Sequence, residues 1–212
     1  VYGAYASGKT QLALSLAVNV QLPKEKGGAE GKAIWIDTEG TFRPERIIQI
    51  AQALGLDEQK TLKNIMIVRA FNSDHQILLI EKVSELIKQG EPIKIVIIDS
   101  LTSHFRAEFA GRGQLADRQQ KLNRYMHDLM KLAETHNLAV YVTNQVMANP
   151  AQMFGDPTSP IGGHIVGHAS TYRLYLRRGK QGSRVAKLID SPNLPDNEAI
   201  YYVTDAGVVN EV

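Results

Sequence analysis

The chain has 212 residues, a formal net charge of +2 and no cysteine; 43% of it is hydrophobic and 22% charged. A chain of this size suits one domain with its own buried core. The missing thiols exclude a disulfide framework and a thiolate metal site, no apolar run is long enough to span a membrane, and so small a charge does not argue for nucleic acid by itself.

The first stretch is the most informative. Gly3-Ala4-Tyr5-Ala6-Ser7-Gly8-Lys9-Thr10 fits G-x-x-x-x-G-K-[ST], the phosphate-binding loop. Glycine lets the backbone turn so that successive N–H groups face the α- and β-phosphates. Lys9 is expected on the β- and γ-phosphates and the Thr10 hydroxyl on Mg²⁺. Gly3, Ala6, Ser7, Gly8 and Gln11 complete the expected nucleotide contacts. Gln11 to Val18 reads as a helix whose N-terminus aims partial positive charge at the same phosphates. Only Val1-Tyr2 precedes the loop, where a strand is needed, so further sequence is expected upstream.

Leu22 to Gly31 reads as a loop and Ala33-Ile34-Trp35-Ile36 as a buried strand ending in Asp37-Thr38-Glu39-Gly40. Pro44 suits the first turn of a helix that ends near Gly55. Ile65 to Val68 is a short strand. Ser73-x-x-Gln76 has capping-box spacing and opens a helix closed by Gly90. Ile93 to Ile98 is a strand running into Asp99-Ser100. Leu115 to His136 carries Leu122, Tyr125, Met126, Leu129 and Leu132 on one helical face. Leu138 to Val142 is a strand ending at Thr143-Asn144-Gln145, followed by a long loop from Val146 to Gly163. Tyr172–Leu176, Arg184–Asp190 and Ala199–Val203 read as strands with no helix between them. Alternating strands and helices predict an α/β fold with a mostly parallel central sheet, helices on both faces, and a smaller antiparallel C-terminal extension. Residues 1–212 read as a single domain.

Ligands of open α/β sheets bind beyond the carboxyl ends of the strands. Three such ends carry polar residues. Asp99, after four branched apolar residues, suits the carboxylate that orders Mg²⁺ beside a phosphate loop; Asp99-Ser100 also suits a helix cap. Glu39 is a candidate general base for water attacking a γ-phosphate, or a solvated loop carboxylate. Gln145 is a candidate γ-phosphate sensor, or simply a loop residue. The stretch Phe105 to Gly113, with Arg106 and Arg112, and Arg118 after it, mixes arginine, aromatic residues and glycine; Val146 to Gly163 holds Met147, Met153 and Phe154. Such loops suit a nucleic-acid backbone and the spaces between bases, or a mobile surface. Arg173 to Lys187 holds six basic residues and no acidic one (Arg173, Arg177, Arg178, Lys180, Arg184, Lys187).

Several strings carry a resemblance. Gly3 to Gln11, Ile36 to Arg46, Arg69-Ala70-Phe71-Asn72, Ile98-Asp99-Ser100, Gly111-Arg112-Gly113, Arg118-Gln119, Thr143 to Val146, Pro160 to Gly163 and Asp190-Ser191-Pro192 resemble the archaeal RadA recombinases and their eukaryotic strand-exchange relatives. The likeness is collinear over essentially the whole chain. It looks nearest to archaeal RadA through Leu101 to Arg106 and Gly162-Gly163-His164. Ala4 departs from it, standing where the family usually has an acidic residue.

The resemblance implies a RecA-like ATPase core that polymerises on single-stranded DNA and pairs it with a homologous duplex, using ATP and Mg²⁺. It assigns Lys9 and Thr10 to triphosphate and metal, Asp99 to the metal and Glu39 to water. Arg46 would stack on adenine, and Gln145 would link the γ-phosphate to the second DNA loop. Arg106, Arg112, Arg118, Gly162 and Gly163 would contact DNA. Asp190 to Pro195 would cap ATP held by the neighbouring subunit. It also implies an N-terminal DNA-binding domain and an oligomerisation linker with a Phe-x-x-Ala motif, neither of which precedes Val1. The motif's groove is expected around Ala33, Ile34 and Trp35. Expected partners are DNA, further copies of the chain, and Phe-x-x-Ala peptides or mediator proteins; the expected compartment is the cytoplasm, or the nucleus were the chain eukaryotic. Alternatives to the recombinase core are a regulatory paralogue and a monomeric peptide-binding module that hydrolyses ATP slowly.

Overall fold

Short runs of branched apolar residues become the strands of this fold, and the amphipathic stretches between them become its helices. The computed structural model describes residues 1–148 and 158–211. Its strands are β1 (Tyr2–Gly3), β2 (Lys32–Asp37), β3 (Ile65–Arg69), β4 (Ile93–Asp99), β5 (Ala139–Val142), β6 (Val146–Ala148), β7 (Thr158–Pro160), β8 (Arg173–Arg178), β9 (Arg184–Asp190), β10 (Glu198–Thr204) and β11 (Gly207–Val209). The helices are α1 (Lys9–Asn19), α2 (Pro44–Ala53), α3 (Glu58–Lys63), α4 (Ser73–Lys88), α5 (Ser103–Glu108), α6 (Leu115–His136) and α7 (Gly163–Ala169).

One sheet has the order β3-β2-β4-β5 and is wholly parallel. A second has the order β1-β8-β9-β10-β11, with β1 parallel to β8 and the other pairs antiparallel. The two meet at a parallel bridge between Tyr2 and Asn144. The expected antiparallel extension is therefore present. Successive residues of β4 face opposite sides of the sheet. Val96 and Ile98 pack with Phe105, Leu122, Tyr125 and Leu129 beneath α4 to α7. Ile95 and Ile97 pack with Leu14, Trp35 and Ile47 beneath α1 and α2. Two layers of helix thus fix β2, β4 and β5 from both sides. Among the described residues no helix is long and apolar enough to cross a membrane.

Several expectations change. The cap of α4 is Asn72, whose extended backbone lets its Oδ1 accept from His75 N at 2.7 Å. Ser73 is already helical, its N–H and hydroxyl donate to Glu108, and Gln76 turns inward to Leu101 O. The capping-box spacing is therefore one residue out of phase with the cap. The long loop after Gln145 contains a hairpin, with Val146 opposite Pro160 and Met147 opposite Ser159, and α7 begins at Gly163. Met153 and Phe154 lie outside the described residues. The short helices α3 and α5 fall where no strong period was visible; α3 is set by Asp57, whose side chain caps Lys60 N.

The peptide-groove expectation is corrected as well. Ala33, Ile34 and Trp35 are 0%, 3% and 0% exposed, because β2 is an inner strand between β3 and β4 with helices on both faces. The open edge of that sheet is β3, beside which Ile67, Phe71 and Leu78 are exposed.

Candidate nucleotide and metal site

The loop leaving β1 passes through Gly8, whose φ of 103° lies in the left-handed region. A side chain there would also meet the Tyr201 hydroxyl, with 2.8 Å between that oxygen and an added Cβ. Gly3 is tighter still: a Cβ would stand 2.2 Å from Leu176 O. Only glycine fits either position. Ala6 adopts φ 58° without being glycine, so the loop holds one alanine in a disfavoured conformation. Ser7 is buried and its Oγ has no hydrogen-bond partner among the described residues. The loop surrounds the mouth of a cleft of about 650 Å³, within the range of small-molecule sites.

Lys9 reaches back to its own loop, donating to Gly3 O at 2.8 Å and Ala4 O at 2.9 Å. Burial lowers its pKa from the ordinary 10.5, while Asp99 and Glu39 work in the opposite direction. Asp37 and Asp99 are partners in parallel register, so two carboxylates stand side by side at the ends of β2 and β4. Asp99 accepts from Thr10 Oγ1 at 2.8 Å and Thr41 Oγ1 at 3.0 Å through Oδ2, and from Thr143 Oγ1 through Oδ1. The cleft therefore unites Lys9, Thr10, Asp99, Glu39 and Gln145, as expected. Thr10 and Asp99 are oxygen donors in direct contact, a set suited to a hard divalent cation. Thr41 and Thr143 were not expected there.

Asp37 is the larger omission. Its side chain is 8% exposed and paired with Arg69 at 3.2 Å. Its Oδ1 accepts from the N–H groups of Glu39, Gly40 and Thr41 at 3.1, 2.6 and 3.2 Å, and Oδ2 accepts from Phe42 N at 3.2 Å. The loop carrying Glu39 is folded around this carboxylate. An Asp two residues before a Gly-containing turn is the signal that could have shown it. Glu39 itself is exposed and accepts from Gln145 Nε2 at 3.0 Å. Gln145 Oε1 accepts from Arg106 on α5 at 3.2 Å.

Other expected residues lie around the cleft. Arg46 on α2 donates through Nε to Gln11 Oε1 at 2.9 Å, and through its Nη atoms to Gln49 and to the carbonyls of Thr204 and Asp205. Asp190 ends β9, pairs with Arg173 at 2.7 Å and, like the exposed Pro195, is not part of this chain's own cleft wall. Arg118 sits half-exposed in the first turn of α6. Arg112 opens the turn before that helix, its side chain lying outside the described part of the structure. Gly162 is needed locally: its φ is 92°, and a Cβ would stand 2.6 Å from Val166 Cγ2. Gly163 faces open space.

A parallel sheet covered on both faces, a phosphate loop leading into α1, and carboxylates at the adjoining strand ends define a RecA-like P-loop ATPase core. The chain belongs to the Rad51 family, whose model matches residues 1–211. A similar curated protein is the DNA repair and recombination protein RadA of Methanocorpusculum labreanum, 56% identical over 222 residues that cover 98% of this chain and 68% of the relative.

Proposed function

We propose that this chain is the ATPase core of a DNA strand-exchange recombinase, forming filaments on single-stranded DNA in homologous recombination and repair. One observation carries the reading: Lys9, Thr10, Asp99, Glu39 and Gln145 converge on one cleft. The family membership supports it, and the relative's name supports the DNA repair setting.

The nucleotide would take its phosphates from the amides of the loop, with Lys9 released from Gly3 O and Ala4 O to meet them. The Ser7 hydroxyl, without a partner among the described residues, and the crowding at Gly3 and Gly8 fit a loop shaped for an anion. Thr10 and Asp99 would hold Mg²⁺, which supplies charge neutralisation on the β- and γ-oxygens. Glu39 accepts the proton of the attacking water through one carboxylate oxygen, while Gln145 steadies the other. Arg106, at the far end of Gln145, carries the signal of bound DNA to that pair. Arg46 lies on the adenine side, and Asp190 with Pro195 serves the adjoining subunit's nucleotide.

The test is ATP hydrolysis by the chain with and without single-stranded DNA, together with sedimentation of the complex. Stimulated turnover and co-sedimentation are expected; no nucleotide binding at all would end the reading.

The exposed edge of β3 favours a second activity of the same core. An extended Phe-x-x-Ala peptide could add a strand there, its aromatic ring anchoring beside Ile67 and Leu78. Peptide titration against the chain tests it.

A further inference from the structure

The cleft has two unlike walls. The ends of β2, β4 and β5 supply Glu39, Asp99 and Gln145. The antiparallel sheet supplies Arg184, the first residue of β9, and Val203 of β10.

We propose that Arg184 is a nucleotide-binding residue that holds the phosphates common to ADP and ATP from within the same subunit. The inference rests on the nucleotide reading above. Its first support is position. Arg184 Cγ would stand 3.8 Å from a Cβ on Gly8, so its aliphatic stem lies against the N-cap residue of α1. Tyr201 fastens this wall to the loop by donating to Ser7 O at 3.3 Å. Burial raises the Tyr201 pKa to about 12, with Arg184 working against that rise, so the hydroxyl stays a neutral donor.

The second support is an unmet donor. The guanidinium presents five N–H groups in a planar fork. Nη1 donates to Gly182 O at 2.9 Å and Ser183 O at 3.0 Å, which ties it to the turn before β9. Nε is buried and has no partner among the described residues. A buried donor without an acceptor is costly, and a phosphate oxygen would supply one. The third support is charge. Arg173 and Arg177 pair with Asp190 and Glu198, whereas no ion pair among the described residues neutralises Arg184.

Position also selects the phosphates. Val203 adjoins Thr204, whose carbonyl holds Arg46 next to Gln11, so this wall runs toward the base. The groups suited to the γ-phosphate and its water, Glu39 and Gln145, come instead from the segments that follow β2 and β5. Arg184 therefore strengthens ADP and ATP binding alike and leaves the chemical step alone.

Calorimetric titration of ADP and of a non-hydrolysable ATP analogue into the parent, Arg184→Gln, Arg184→Lys and Lys9→Ala chains tests this, with the melting temperature of each unliganded chain as the folding check. Arg184→Gln should weaken both nucleotides by about tenfold or more, the scale of one charge-assisted hydrogen bond. Arg184→Lys should recover part of the loss. If the parent binds both nucleotides and folded Arg184→Gln binds them equally well, the inference is overturned and the proposed function stands. Loss confined to the ATP analogue overturns it too. A parent that binds neither nucleotide removes the proposed function and this inference together.

Discussion

Gln145 holds Glu39: its Nε2 donates to Glu39 Oε1 at 3.0 Å, and its own Oε1 accepts from Arg106 at 3.2 Å. A three-residue chain thus joins α5 to the carboxylate at the cleft. Glu39→Gln should keep nucleotide affinity and lower turnover by about a hundredfold or more, the range for general-base catalysis beginning there. Gln145→Ala should spare basal turnover more than Glu39→Gln does, but remove most of its stimulation by DNA. Single-turnover hydrolysis with and without single-stranded DNA measures both; parent-like rates for Glu39→Gln would dismiss the base.

Lys9 gives a pH test. It must be protonated to meet phosphate, and burial makes protonation harder in the free protein. Bound phosphate raises its pKa, so binding takes up a proton wherever free Lys9 has lost one. Affinity for ATP should therefore fall with rising pH, starting below the ordinary lysine value of 10.5. Titration calorimetry in buffers of different ionisation heat should detect proton uptake on that alkaline limb. Lys9→Arg should flatten it, and Lys9→Ala should reduce affinity at every pH.

Asp37→Asn tests the loop that carries Glu39. The substituted amide keeps one acceptor but turns a donor toward Phe42 N or the Glu39-to-Thr41 amides, and it leaves Arg69 unpaired. A stability loss of about 1–3 kcal/mol is expected, the cost of an unsatisfied buried polar group. Turnover should drop with little change in ADP affinity, because the loop supports Glu39 more than the phosphates. The chain's single tryptophan, Trp35, meets Phe42 edge-on at 5.1 Å, so its fluorescence should report the loosened loop directly.

Arg118→Ala addresses the DNA surface. Arg118 is half-exposed at the start of α6, beyond the turn opened by Arg112. If it meets one phosphate, its removal should weaken binding across all sequences and reduce the salt slope by about one. Binding isotherms at several salt concentrations give the slope; an unchanged slope takes Arg118 off the surface.

Much of this was legible in the sequence because it is local. The phosphate loop, the carboxylate ending β4 and the amphipathic face of α6 each follow from residues close together in the chain. What escaped depends on register or on distant partners. Thr41 and Thr143 reach Asp99 only because β2, β4 and β5 align. Asp37 looked like one more polar residue at a strand end, since hydrogen bonds to backbone amides leave no mark on side-chain pattern. Ala33, Ile34 and Trp35 read as a strand correctly, but which strand is the edge is a question of sheet order, and β3 took that place. Arg184 stood out only as one of six basic residues, and its distinction from Arg173 and Arg177 is that no ion pair among the described residues joins it to an acid.

The junction of the two sheets has a mechanical consequence. It includes the bridge between Tyr2 and Asn144, with Asn144 N donating to Val1 O at 2.8 Å, and the phosphate loop hangs from that seam. A ligand touching both sides of the seam acts as a rivet. At a concentration one hundred times its Kd it would add about 2.7 kcal/mol to the cost of opening. Amide exchange should then slow in β8 to β10 as well as in the loop. Nucleotide occupancy would thereby be expressed as stiffness in the half of the molecule that carries the exposed loop from Pro192 to Asn197 between β9 and β10.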